Sequence, residues 1–297
     1  MPRFVLSVFL VAGAVSIVHV SAEHKKRVLQ IDDDFTSYTF SAEPDWTYRS
    51  TATDGGEPLG PSDWSKGYPD CAGDSQSPIN LSSSTQTVVE SAEPDIYNLE
   101  FTPHVCMSDD LTFVANERVF EVLFDGCAEQ ASLTFNGTQY NLIQFHIHSP
   151  SEHATAESLH SAEIHWVHVK DGTEDELLVV GVLFDVTEYG TNLELQPLWD
   201  ALDMGQSTTT ESFETRVYDL MPPNPVFSNY IGSLTTPPCS EGVTWIVMNE
   251  PAIIGQMQLD EYRTFIAHFD DSKVDELGNT NRPLQPQNDR EVFFVQT

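Results

Sequence analysis

The chain has 297 residues, 40% of them hydrophobic, with 13 Lys and Arg against 46 Asp and Glu and a net charge of −33 at pH 7. That length and apolar content suffice for one large core or two small ones. An acidic balance of this size repels phosphate backbones and anionic lipid surfaces, so it argues against a nucleic-acid partner and against peripheral membrane binding.

The first element is a leader. Arg3 supplies a positive start, residues 4–20 are apolar, and Val20-Ser21-Ala22 offers a small-residue cleavage site. This is the pattern of a secretory signal peptide over residues 1–22, the alternative being an uncleaved anchor, for which the apolar stretch is at the short end of a membrane span. No later apolar run is long enough to span a bilayer, so no stable membrane span is expected once the leader is removed. The implied localisation is secreted: extracellular, periplasmic or another secretory-route compartment. An acidic, irregular lead-in is expected over residues 23–44, and one domain over 45–297, since no repeat, linker or low-complexity tract interrupts that stretch. Cys71, Cys106, Cys127 and Cys239 suit an oxidising compartment; four cysteines allow three pairings, and no CxxC motif suggests a cysteine zinc site. Asn80-Leu81-Ser82 and Asn136-Gly137-Thr138 are sequons, which makes Asn80 and Asn136 candidate glycosylation sites.

Trp46, Tyr48 and Trp64, set among Gly, Pro and Asp, read as loop pinned by aromatics. From Ile96 onward short alternating runs dominate: YNLEF, LTFVAN, RVFEVLF, ASLTF, YNLIQFHIH, AEIHWVHV, LLVVGVLF and VTWIVMN. Gly, Asn, Asp and Pro separate them, which are strand and turn signals. Residues 193–203 and 259–269 read as helices. The expected fold is mainly β, of α+β class: a single domain with a large, mostly antiparallel, twisted central β-sheet flanked by short helices. Neither composition nor pattern assigns an oligomeric state.

One strand carries chemistry. In YNLIQFHIH, side chains alternate faces, so Gln144, His146 and His148 share one face and Ile143, Phe145 and Ile147 the other. In AEIHWVHV, Glu163 and His165 share a face, opposite Ile164 and Trp166. If these strands are neighbours, His146, His148 and His165 converge. Three imidazoles with a fourth position open is the pattern of a catalytic Zn2+ site. Gln144 and Glu163 each precede a ligand by two residues and can accept a hydrogen bond from its second ring nitrogen. Parity excludes His168 from this face. His153 lies past Pro150, where strand parity no longer applies.

The segments QFHIHSPSEH, AEIHWVH and YIGSLTTPPCSEGVTWIV, with WTY at 46–48, QSPINL at 76–81 and NRPLQP at 281–286, resemble the α-class carbonic anhydrases of secreted type, in that family's order. The resemblance implies a zinc enzyme that catalyses reversible hydration of CO2 to bicarbonate and a proton through zinc-bound hydroxide, and that sulfonamides and anions inhibit. It implies the ligands His146, His148 and His165, with Gln144 and Glu163 behind two of them and a main-chain carbonyl near Thr280 behind the remaining one. It implies that Thr235 accepts a hydrogen bond from the hydroxide and donates its own proton to Glu152. Val167, Val179, Leu234, Val243 and Trp245 fall on the family's CO2 pocket, Thr236 on a contact to bicarbonate or inhibitors, and Tyr48, Asn116 and Glu121 on its water network. The family's fast members place a histidine proton shuttle where this chain has Arg118. Secreted members bridge the positions of Cys71 and Cys239. A second bridge, Cys106–Cys127, follows from a hairpin around Glu117-Arg118 whose paired positions sum to about 235, which brings Cys106 near 129. The rival reading is a catalytically silent binding module of the same family. Such members lose a zinc histidine, and this chain keeps all three.

Overall fold

The computed structural model describes residues 27–31, 38–42 and 44–296, apart from 50–57, 83, 91–96, 116–117, 129, 198, 200–213, 222–224, 269–272 and 275–276. The chain divides into two compact units, residues 1–43 and 44–297. In the first, β1 (Arg27–Ile31) and β2 (Tyr38–Ala42) pair antiparallel. Two paired strands therefore lie within the stretch expected as an irregular lead-in. The leader itself lies outside the described residues.

The second unit carries α1 (Trp64–Gly67), β3 (Asn80–Leu81), β4 (Thr87–Glu90), β5 (Leu99–Phe101), β6 (Val105–Met107), β7 (Thr112–Ala115), β8 (Phe120–Leu123), β9 (Ser132–Phe135) and β10 (Thr138–His148). It continues with β11 (Ala154–Thr155), β12 (Ser158–Leu159), β13 (Ala162–Lys170), β14 (Leu177–Thr187), β15 (Glu214–Arg216), β16 (Val226–Ser233), β17 (Glu241–Gly255), α2 (Gln256–Ala267) and β18 (Phe293–Gln296). Eleven strands form one sheet in the order β4-β18-β16-β17-β14-β13-β10-β8-β7, with β9 also on β10 and β5 on β9. Its ladders are antiparallel except β14–β17 and β18–β4.

β14 lies in the middle, and residues 178–184 are buried without interruption. A near-continuous apolar run is what a strand covered on both faces requires. Alternate residues enter two cores. Leu178, Val180, Val182 and Phe184 join the larger one with Phe145, Trp166 and Ile246. Val179 and Leu183 join a smaller one with Val167, Tyr230, Val243 and Trp245.

Two local features differ from the expected pattern. The ladder between β10 and β13 shifts register between Leu142 and Gln144. The bulge turns Ile143 outward, 37% exposed, and buries Leu142 in its place. The apolar face is thus Leu142, Phe145 and Ile147, while the bulge precedes Gln144, His146 and His148 and leaves their common face intact. The second feature is α2, which begins at Gln256 rather than 259. Gln258 Oε1 accepts the Gly255 and Asn192 N–H groups and so starts the helix a turn earlier. In the other expected helix, positions 196, 197 and 199 are helical and 200–203 lie outside the described residues.

The β7–β8 hairpin has the expected register, Thr112 opposite Leu123 and Phe113 opposite Val122. Both disulfides are present: Cys71–Cys239 with Cα atoms 4.9 Å apart and Cys106–Cys127 at 6.1 Å.

Candidate active site

β10 and β13 lie side by side with His146 opposite His165 and His148 opposite Glu163. Strand alternation and this register bring the three imidazoles together, ring centroids 4.6–5.1 Å apart. Each ring is fixed through one nitrogen. His146 Nδ1 donates to Gln144 Oε1 at 2.8 Å, His148 Nδ1 to the Thr280 carbonyl at 2.6 Å, and His165 Nε2 to Glu163 Oε1 at 2.9 Å. The nitrogens left over, His146 Nε2, His148 Nε2 and His165 Nδ1, carry lone pairs and face one another.

Burial holds all three rings neutral. His148 is lowered to about 4 and His165 is also lowered, both chiefly by burial. His146 falls well below the usual histidine range, through burial and then the two neighbouring rings. Glu163 is the opposite case: burial pushes it up, but His153 and His165 outweigh that and hold it well below the usual range, as a carboxylate.

This donor set fits a cation. His146 Nε2 and His165 Nδ1 stand 3.3 Å apart, and two lone pairs at that distance repel. Two nitrogens bound tetrahedrally to one zinc at the usual bond length lie about 3.3 Å apart. His148 Nε2 is buried with no hydrogen-bond partner. A buried group left so is costly unless something satisfies it.

Glu152 is fully buried, and its Oε1 accepts the Arg282 backbone N–H at 2.7 Å. Burial raises it to about 7, opposed by His165, the Thr235 side chain and that N–H. Thr235 is 5% exposed on the loop after β16. That loop is tied by Leu234 N–H to the Ser240 carbonyl, by Cys239 N–H to the Thr236 carbonyl, by Gln76 to the Cys239 carbonyl and by the Cys71 bridge. Val167, Val179, Val243 and Trp245 fall together in the smaller core, with Leu234 packed against it. Thr236 is half-buried beside Thr235. Tyr48 is buried, its hydroxyl raised well above the usual range by burial and then by Glu152. Glu121 lies opposite His146 across β8–β10, and burial raises its pKa. Asn116 lies outside the described residues.

Arg118 lies against the Asp45–Trp46 segment. Its guanidinium pairs with Asp45, donates from Nε to the Trp46 carbonyl at 3.0 Å and lies 4.8 Å over the Trp46 ring. Of the two sequons, Asn136 is exposed at the β9–β10 turn, whereas Asn80 Oδ1 accepts the Glu157 N–H.

The sequence reading set His153 aside, yet it is fully buried behind the site. Its Nδ1 donates to Glu163 Oε1 at 2.7 Å and its Nε2 accepts from the Tyr230 hydroxyl at 2.7 Å. Tyr230 in turn bonds Ser77 Oγ at 2.8 Å. The available signal was the adjacency of His153 to Glu152 in SEH; no periodicity reaches it.

A sequence model of the eukaryotic-type carbonic anhydrases matches residues 59–296, which surround every residue of the triad. The chain belongs to the α-carbonic anhydrase family. Human carbonic anhydrase 7 is 33% identical over 259 residues, covering 80% of this chain and 94% of the relative. The α-carbonic anhydrase of Thermovibrio ammonificans, solved with the inhibitor sulfanilamide, superposes with a TM-score of 0.67 at 29% identity, covering 84% of this chain and 99% of that one. A dioscorin complexed with ascorbate superposes at 0.68 with 25% identity, over 85% of this chain and 98% of that one. Family membership makes this carbonic anhydrase an enzyme of the CO2–bicarbonate reaction class. Among the described residues no helix is long and apolar enough to cross a membrane.

Proposed function

We propose that the chain catalyses the reversible hydration of CO2 to bicarbonate and a proton, with zinc held by His146, His148 and His165. The observation that carries this reading is the set of three neutral imidazoles, His148 and His165 buried and His146 half-buried, each anchored by its other nitrogen, whose free nitrogens meet. A zinc ion held there would lower the pKa of a bound water and so supply the nucleophile, the behaviour for which carbonic anhydrases are the reference case. The protein's own groups do the rest. With Glu152 Oε1 taken by Arg282, Oε2 remains for the Thr235 hydroxyl. Thr235, so anchored, can only accept a hydrogen bond from the nucleophile, which turns a lone pair towards the CO2 carbon. Val167, Val179, Leu234, Val243 and Trp245 give apolar CO2 a dry wall, and Thr236 sits where bicarbonate, anions or a sulfonamide would contact the loop. The proton must leave without a histidine at 118. The leader pattern and two disulfides support a secretory route.

Stopped-flow CO2 hydration with zinc analysis tests the reading. Wild type should bind one zinc and hydrate CO2 with sulfonamide-sensitive turnover. His148→Asn should lose most of both, because metal ligation at buried sites depends on every ligand. Full CO2 hydration by His148→Asn would refute the site.

A further inference from the structure

β14 contains one residue that its surroundings do not explain by packing alone. Within its buried stretch Leu178–Phe184 every residue but Gly181 fills one of the two cores. Glycine in a strand interior gives up packing and costs chain entropy. Gly181 is not among the positive-φ glycines, so its backbone does not demand the residue. Space does. A Cβ at 181 would stand 2.8 Å from Glu163 Oε1, closer than carbon and oxygen tolerate, while its next neighbour, Val247 Cγ2, is at an ordinary 3.6 Å. Gly181 also lies directly opposite His165 across the β13–β14 ladder.

A flexible carboxylate would step aside; this one is held by four donors. Oε2 accepts the Glu152 and His153 backbone N–H groups at 2.9 and 2.8 Å. Oε1 accepts His153 Nδ1 at 2.7 Å and His165 Nε2 at 2.9 Å. Moving Oε1 away from a new methyl group must break or lengthen the bond that orients His165. We infer that Gly181 is a positioning residue for His165: its missing side chain is the seat from which Glu163 holds that imidazole.

The inference rests on the zinc reading above, and its test separates the two. Zinc loss from the purified full chain into excess chelator is timed, together with the visible spectrum of the cobalt-substituted protein. Gly181→Ala should release zinc about 10- to 100-fold faster than wild type, the usual scale for disturbing a ligand's hydrogen-bond partner, with an altered cobalt spectrum. Glu163→Ala should also release zinc faster, and adding Gly181→Ala to it should change nothing further, because the clashing atom is gone. Should Gly181→Ala alone not fold, recovery of folding in the double variant supports the role and continued failure overturns it. Zinc-loaded wild type with unchanged release in Gly181→Ala, or equal acceleration by Gly181→Ala in both backgrounds, would overturn only the role of Gly181. A wild type that binds no zinc would overturn the metal reading itself.

Discussion

On the proposed function, Arg118 stands where a histidine relay would carry the proton out. A guanidinium does not deprotonate near neutral pH, and this one is paired with Asp45 and stacked on Trp46. Proton release should therefore limit turnover. The CO2 hydration rate should rise several-fold between about 5 and 50 mM imidazole, since a titrating buffer can replace the missing relay. A rate indifferent to imidazole would show that another group carries the proton. At this scale the sequence was informative where alternation applies. His146, His148 and His165 follow from two strands of period two. His153 did not, because it sits on a short connection after Pro150 and its partners Glu163 and Tyr230 lie 10 and 77 residues away.

Among the elements, the apolar runs betrayed their strands, while β16 passed unnoticed as one. It is buried on both faces, and its buried residues include Ser228, Asn229 and Ser233, so no apolar alternation marks it. Those polar groups are satisfied by long-range partners, such as Ser233 Oγ receiving the Ser77 N–H, that a local pattern cannot reveal. The Ile143 bulge was hidden for a similar reason: it depends on β13 as much as on β10. The loop after β16 carries Thr235 and is tethered by Cys71–Cys239, which closes a separation of 168 residues, against 21 for Cys106–Cys127. Chain-entropy reasoning gives about 5 and about 3 kcal/mol for loops of those lengths. Replacing both cysteines of the first pair with serine should lower the unfolding midpoint and cut CO2 hydration as well, because the loop presenting Thr235 loses an anchor. The same change in the second pair should lower stability and leave turnover per folded molecule close to wild type. Thermal unfolding and stopped-flow rates on the two double variants check this, and equal loss of turnover in both would contradict the link between the first bridge and Thr235.

For the whole molecule the decisive quantity is the net charge of −33. With 13 Lys and Arg against 46 acids, most carboxylates have no basic residue to pair with. Folding brings them together, and like charges repel over the Debye length, about 30 Å at 0.01 M salt and about 10 Å at 0.1 M. Salt should therefore stabilise this fold, the reverse of a protein held by surface ion pairs, whose contribution salt removes. The triad should respond differently. Its groups are buried or, for His146, half-buried, so screening reaches them weakly, and zinc retention should be nearly independent of salt over the same range. Unfolding midpoints at about 10 and 200 mM sodium chloride, with zinc-release rates under both conditions, separate the two effects. A midpoint that rises by several degrees beside a constant release rate is expected. A midpoint that stays level or falls would mean that the acidic surface is already neutralised, by bound cations or by protonation, and that the formal charge overstates the repulsion the fold carries.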